Sequence, residues 1–205
     1  MKFLSYTKRD IQTHIKNNSK YYLFFFLAMI IGVVVAIIVL VSNDAYLSLV
    51  VSKNKLIYSF INGTATKGTI FIDRLSRFIF PLIIIFVLSF NYYFALLSFV
   101  LFAYQFCIMI LTISAIINMY YFSGVISAIF LIIPINTIYF IIRLYFSVVC
   151  LNRSKSAFKQ KYFSFGFDAG FFIKIAYCFI FVLILSLFIA FIFPILLKSA
   201  IFSIY

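Results

Sequence analysis

Glutamate is missing from all 205 residues, and so is tryptophan. Asp10, Asp44, Asp73 and Asp168 supply the whole negative charge, and the single histidine, His14, lies in a basic arm. These absences exclude most enzyme chemistry. General acid–base work needs titratable groups set side by side, and a metal centre needs clustered His, Cys, Asp or Glu. The four aspartates are scattered, and the chain has no P-loop, no G-x-S-x-G and no H-E-x-x-H pattern. No enzyme, no cofactor and no metal site is expected. Without tryptophan, the interfacial aromatic belt falls to tyrosine.

Charge of either sign is also scarce. Charged residues make up 10% of the chain against 66% hydrophobic, and the mean hydropathy is +1.21. A soluble domain is about a quarter charged, so this composition predicts an integral membrane protein. The apolar runs are too long and too uniform for a β-barrel, which shows alternating segments of about ten residues. The net charge of +13 does not point to nucleic acid, because the bases sit in segments flanking apolar runs, where topology and anionic lipid account for them. Cys107, Cys150 and Cys178 lie inside apolar runs without metal or redox spacing, so they read as small packing residues.

What is present is one dominant stretch. Phe78 to Cys150 is 73 residues long with a single charge, Arg143. About twenty apolar residues span a bilayer as a helix, so this run holds three to four crossings. The predicted fold is all-α: a polytopic transmembrane bundle of about five spans, with a short re-entrant or broken helix and an interfacial amphipathic helix. Residues 1–20 form a basic cytoplasmic arm, and 21–205 form one membrane domain. Spans are expected near 21–41, 78–90, 94–113, 125–150 (broken at Pro134) and 175–197. Pro81 falls in the first turn of the second span, where proline costs little. Between Ala45 and Ile61 the polar residues Ser48, Ser52, Lys55 and Ser59 share one stripe, as in a helix lying in the membrane interface.

Topology follows from the bases. The N-terminal arm and the 151–174 segment carry five each and are both assigned to the cytoplasm. That demands an even number of crossings between them and leaves the C-terminus outside. Val125 to Ile133, too short to span, is then either a re-entrant half-helix or the first part of a long broken span.

Four residues stand out as structural or partner-contact candidates: Gly124, Pro134, Asn136 and Arg143. Pro134 removes a helical hydrogen bond, and Asn136 can serve the carbonyls left free. Arg143 is costly in a span unless it faces a polar partner or snorkels past Cys150 to the interface, and snorkelling is the expected outcome.

Gly124, an apolar segment, Pro134, Asn136 and the aliphatic-aromatic run to Tyr139 resemble the hallmark of the stage II sporulation protein M family. The resemblance implies a multi-pass cell-membrane protein without catalysis of its own. It implies a scaffold that organises peptidoglycan-remodelling partners, such as stage II sporulation proteins D and P, at the outer face. The alternative is a small permease-like subunit working with a cytoplasmic ATPase. The first expects the 42–77 interval to be a docking surface. The second expects Pro134, Asn136 and Arg143 to line a cavity.

Overall fold

A computed structural model describes residues 13–42, 66–159 and 169–192, and every regular element among them is helical. In chain order these are α1 (Ser19–Ser42), α2 (Lys67–Leu88), the single turn α3 (Tyr92–Ala95), α4 (Leu97–Ser127), a π turn (Ala128–Ile132), α5 (Ile133–Lys159) and α6 (Ala169–Phe191). The protein is a membrane-type helical bundle. Four of its helical segments are long and apolar enough to cross a bilayer: Ser19–Ser42, Tyr92–Asn118, Ile133–Phe158 and Gly170–Phe191.

The fifth expected span, 78–90, is the second half of a longer helix. Thr66 caps α2 by accepting from the Thr69 amide at 3.3 Å, so the helix starts eleven residues before Phe78. Asp73, Arg74 and Arg77 therefore ride on a helix and not in a loop. Pro81 lies well inside α2, not in its first turn. The cost there is a lost hydrogen bond to the preceding turn. Next to the deprived carbonyl, Phe78 O accepts from Tyr139 Oη of α5 at 3.1 Å.

Residues in contact fix the direction of each helix. Phe25 meets Phe99 and Phe102, and Ala36 packs with Cys107 and Leu111, so α1 and α4 run parallel. Phe102 and Phe106 both meet Phe140, while Tyr92, just before α4, meets Phe158 near the end of α5, so α5 runs back along α4. Phe146 meets Phe179 while Arg153 covers Phe171, so α6 is antiparallel to α5. Phe86 meets Phe171 and Lys67 covers Phe191, so α2 is antiparallel to α6 and parallel to α5.

At one end of the bundle the N-terminal segment meets the end of α5. Asn152 Nδ2 donates to Asn18 Oδ1 at 2.7 Å, and Lys155 Nζ lies 5.6 Å from the Tyr21 ring. The two basic segments therefore share an end. The other basic interval begins to be described only at Thr66; the expected interfacial helix, 45–61, lies outside the described residues.

The central break is not where the sequence places it. Tyr121 has φ 48° and ψ −121°, and there the chain reverses. A Cβ on Gly124 would lie 2.5 Å from Ile116 O and 3.0 Å from Ile117 Cα, eight and seven residues back. In an unbroken helix eight residues are about 12 Å apart along the axis. Glycine at 124 is what lets the two arms of this hairpin close. From there the backbone stays helical to Lys159, and Pro134 does not break it. The π turn just before Pro134 redistributes the bonds that an α-helix would lose to the ring. Val125 to Ile133 is thus continuous with α5 in one long helical run.

Candidate functional site: a chamber between α2, α4 and α5

A cavity of about 480 Å³ opens between the middle of α2, the first half of α4 and the start of α5. Arg74 and Arg77 line it from α2; Tyr104, Gln105 and Thr112 from α4; Asn136 and Tyr139 from α5. Ile108, Met109, Ile132, Ile135, Phe140 and Ile189 complete a mostly apolar wall. A few polar groups on an apolar surface, at a volume of this order, is how small-molecule sites are built.

Three features hold the chamber open. Pro81, itself a lining residue, interrupts α2 beside it. From the last residue of the π turn onward, Ile132, Ile135 and Asn136 share the cavity face at i, i+3 and i+4. The tie from Tyr139 to Phe78 O, with their rings stacked 4.3 Å apart, fixes α5 against α2 at the inner end.

The mouth is electropositive. Arg77 Nε lies 2.9 Å from Asp73 Oδ2, an i,i+4 pair. Desolvation first, and then the neighbouring Arg77, lower the pKa of Arg74 to about 10, while Asp73 acts to raise it, so Arg74 is protonated at neutral pH. Among the described residues no acidic side chain lines the cavity.

The four candidates from the sequence separate. Asn136 lines the chamber and donates from Nδ2 to Ile132 O at 2.8 Å, a carbonyl in the π turn. That acceptor lies four residues before Asn136, so the bond is local and does not cross to another helix. Pro134 is exposed and lines nothing. Gly124 serves the hairpin. Arg143 is fully buried, does not snorkel and, against the expectation, does not line the chamber. Its Cζ lies 5.4 Å from the centroid of Phe102, and Nε and both terminal nitrogens have no hydrogen-bond partner among the described residues. Arg143 follows Asn136, Tyr139 and Phe140 on one helical stripe, at i+7, i+4 and i+3.

Sequence reasoning missed Gly32. With Ala28 and Ala36 it forms the buried stripe of α1, and a Cβ there would lie 2.4 Å from Ala103 O. Small residues four apart were the available signal. The three cysteines are free and buried, and among the described residues no three His, Cys, Asp or Glu side chains gather for a metal.

Comparison with known protein families, with curated proteins and with solved structures gives no match to this chain.

Proposed function

We propose that this protein is a non-catalytic, multi-pass component of the cell membrane that binds a small solute inside its helical bundle, as a permease-like subunit. The carrying observation is the chamber between α2, α4 and α5. It sets Gln105, Asn136 and Tyr139 on an apolar wall within a set of membrane-spanning helices. The meeting of the two basic segments at one end supports a cytoplasmic N-terminus, since such segments stay on the cytoplasmic side. A cytoplasmic ATPase would dock at that end. The scaffold reading, with stage II sporulation proteins D and P as partners, draws its support from the Gly124–Tyr139 pattern. It requires no chamber.

Solute-dependent thermal melting of the purified protein in nanodiscs tests the proposal. A ligand at about 100 times its Kd stabilises the folded state by roughly 2.7 kcal/mol. At least one member of a panel of small metabolites should raise Tm, and Asn136→Leu or Gln105→Leu should abolish that rise. In the absence of solute, Asn136→Leu should cost only about 0.6 kcal/mol, in line with intramembrane hydrogen bonds. If no solute shifts Tm while wall hydrolases co-purify, the scaffold reading stands in its place.

A further inference from the structure

We propose that the solute is an organic anion with an apolar body, and that Arg143 is the residue that holds its charge. The inference rests on the solute-binding reading above and adds the ligand's chemical class. Arg143 is 0% exposed, and none of its nitrogens has a hydrogen-bond partner among the described residues. A guanidinium carries five donors and is not deprotonated in proteins. The ring of Phe102 offers a cation–π contact at 5.4 Å but accepts none of those donors in a conventional hydrogen bond. An uncompensated buried charge is strongly destabilising, so its natural complement is an incoming anion.

Position supports the same reading. Side chains on a helix lean over the turn that precedes their own Cα. Arg143 does not itself line the chamber; it leans toward Tyr139 and Phe140, which do, and so stands directly behind that wall. One turn is about 5.4 Å, within the reach of an arginine. The register that sets Gln105 against Tyr139 and Phe102 against Phe140 also puts Ser98 at the level of Ser147, just beyond Arg143. Both serines are buried, and both hydroxyls lack a partner among the described residues. The two unpartnered hydroxyls thus lie about one turn beyond Arg143 on the α4/α5 seam, on the side away from the chamber. With Arg77 paired to Asp73, Arg74 leaves one net positive charge beside the chamber to attract the same sign of ligand, and the apolar wall suits the ligand's body.

Benzoate, benzamide and benzylammonium share a ring and differ in charge, so they serve as probes. Binding is measured by thermal shift and calorimetry on the full chain in phosphatidylcholine nanodiscs. Benzoate should bind, and the neutral and cationic analogues should not. Arg143→Gln should weaken benzoate roughly 30-fold, and Arg143→Lys should weaken it less. Without ligand, Arg143→Gln should melt no lower than the parent, because it removes an unpaired buried charge; a structural arginine would give the opposite. Should Arg143→Gln fail to fold, Arg143→Lys and Arg74→Gln carry the test, and each should weaken benzoate. Repeating the titration with phosphatidylglycerol in the nanodisc separates sources. Competition by that lipid assigns the same anion chemistry to a lipid headgroup, and unchanged benzoate binding assigns it to a free solute. If benzamide or another uncharged solute binds and benzoate does not, the anion inference falls while the solute-binding reading survives. If nothing binds to folded protein, both fall.

Discussion

Replacing Gly32 by alanine adds one methyl group at the tightest contact between α1 and α4. That methyl would sit 2.4 Å from Ala103 O, 3.1 Å from Phe106 Cβ and 3.2 Å from the Ala103 carbonyl carbon. Two of the three obstacles are backbone, so no rotamer change relieves them. The helices must part by about 1 Å to restore ordinary contact. A gap of 0.5–1 Å forfeits roughly a quarter to a half of each dispersion contact along the seam. Overpacking of this kind costs about 1–3 kcal/mol. Alanine returns up to about 1 kcal/mol through its higher helix propensity. The expected net loss is therefore about 1–2 kcal/mol for Gly32→Ala, and more for Gly32→Val. Denaturation in mixed micelles, followed by circular dichroism, measures it. Cys107 supplies a local readout, because it is buried in the cluster that Ala36 forms with Leu111 and Ala115. Its alkylation by a membrane-permeable maleimide, mapped by mass spectrometry, should rise in Gly32→Ala. The control is Val34→Ala on the outer face, where the side chain is 49% exposed and the rate should stay at the parental value. A Gly32→Ala protein as stable as the parent, with Cys107 equally protected, would refute the close approach of α1 and α4.

Two further outcomes are expected. Reporter fusions after Lys159 should read cytoplasmic and fusions after Gly63 extracytoplasmic; the same side for both would overturn the assignment of crossings. His14 bears on pH: half-burial first, and then Lys174, hold its pKa below the ordinary 6.5. The folded state therefore favours neutral imidazole, whose Nδ1 lies 3.2 Å from Tyr22 Oη and whose ring lies 5.1 Å from that of Tyr145. That contribution is complete above the unfolded pKa and is lost as pH falls through the lowered folded value. Protection factors at residues 13–18, that is, exchange rates corrected for the base-catalysed intrinsic rate, should fall as pH drops from 7 to 5, and His14→Phe should remove that fall.

Hydropathy made the helical class and most of the spans legible, since a run such as Tyr21–Val41 admits no other reading in a bilayer. The start of α2 was hidden because its first half is polar; only the Thr66 cap marks it, and capping residues are common. The reversal at Tyr121 falls between the expected spans 94–113 and 125–150, but the break expected at Pro134 was misplaced for a related reason. Pro134 is the conspicuous helix breaker, yet a π turn absorbs it, while the reversal falls at Tyr121, a residue type with no preference for positive φ. The glycine that makes the reversal possible was visible, but what it packs against was not. Arg143 shows the limit most plainly. Its position in a span could be read directly, whereas its direction depends on where α4 lies, which one-dimensional spacing cannot supply. The chamber itself joins residues from three helices, and its polar members were seen singly before the fold brought them together.

The parallel pairing of α1 with α4 has a consequence for how the protein is made. The face that carries Ala28, Gly32 and Ala36 leaves the ribosome before its counterpart, Ala103 to Ala115, has been synthesised. Until then that backbone-deep notch is open to lipid, or to whatever escort the insertion machinery provides. The first helix is therefore placed early and docked late. A chain interrupted before residue 97 would display an unfilled groove of small side chains, a mark by which membrane quality control can recognise unfinished copies.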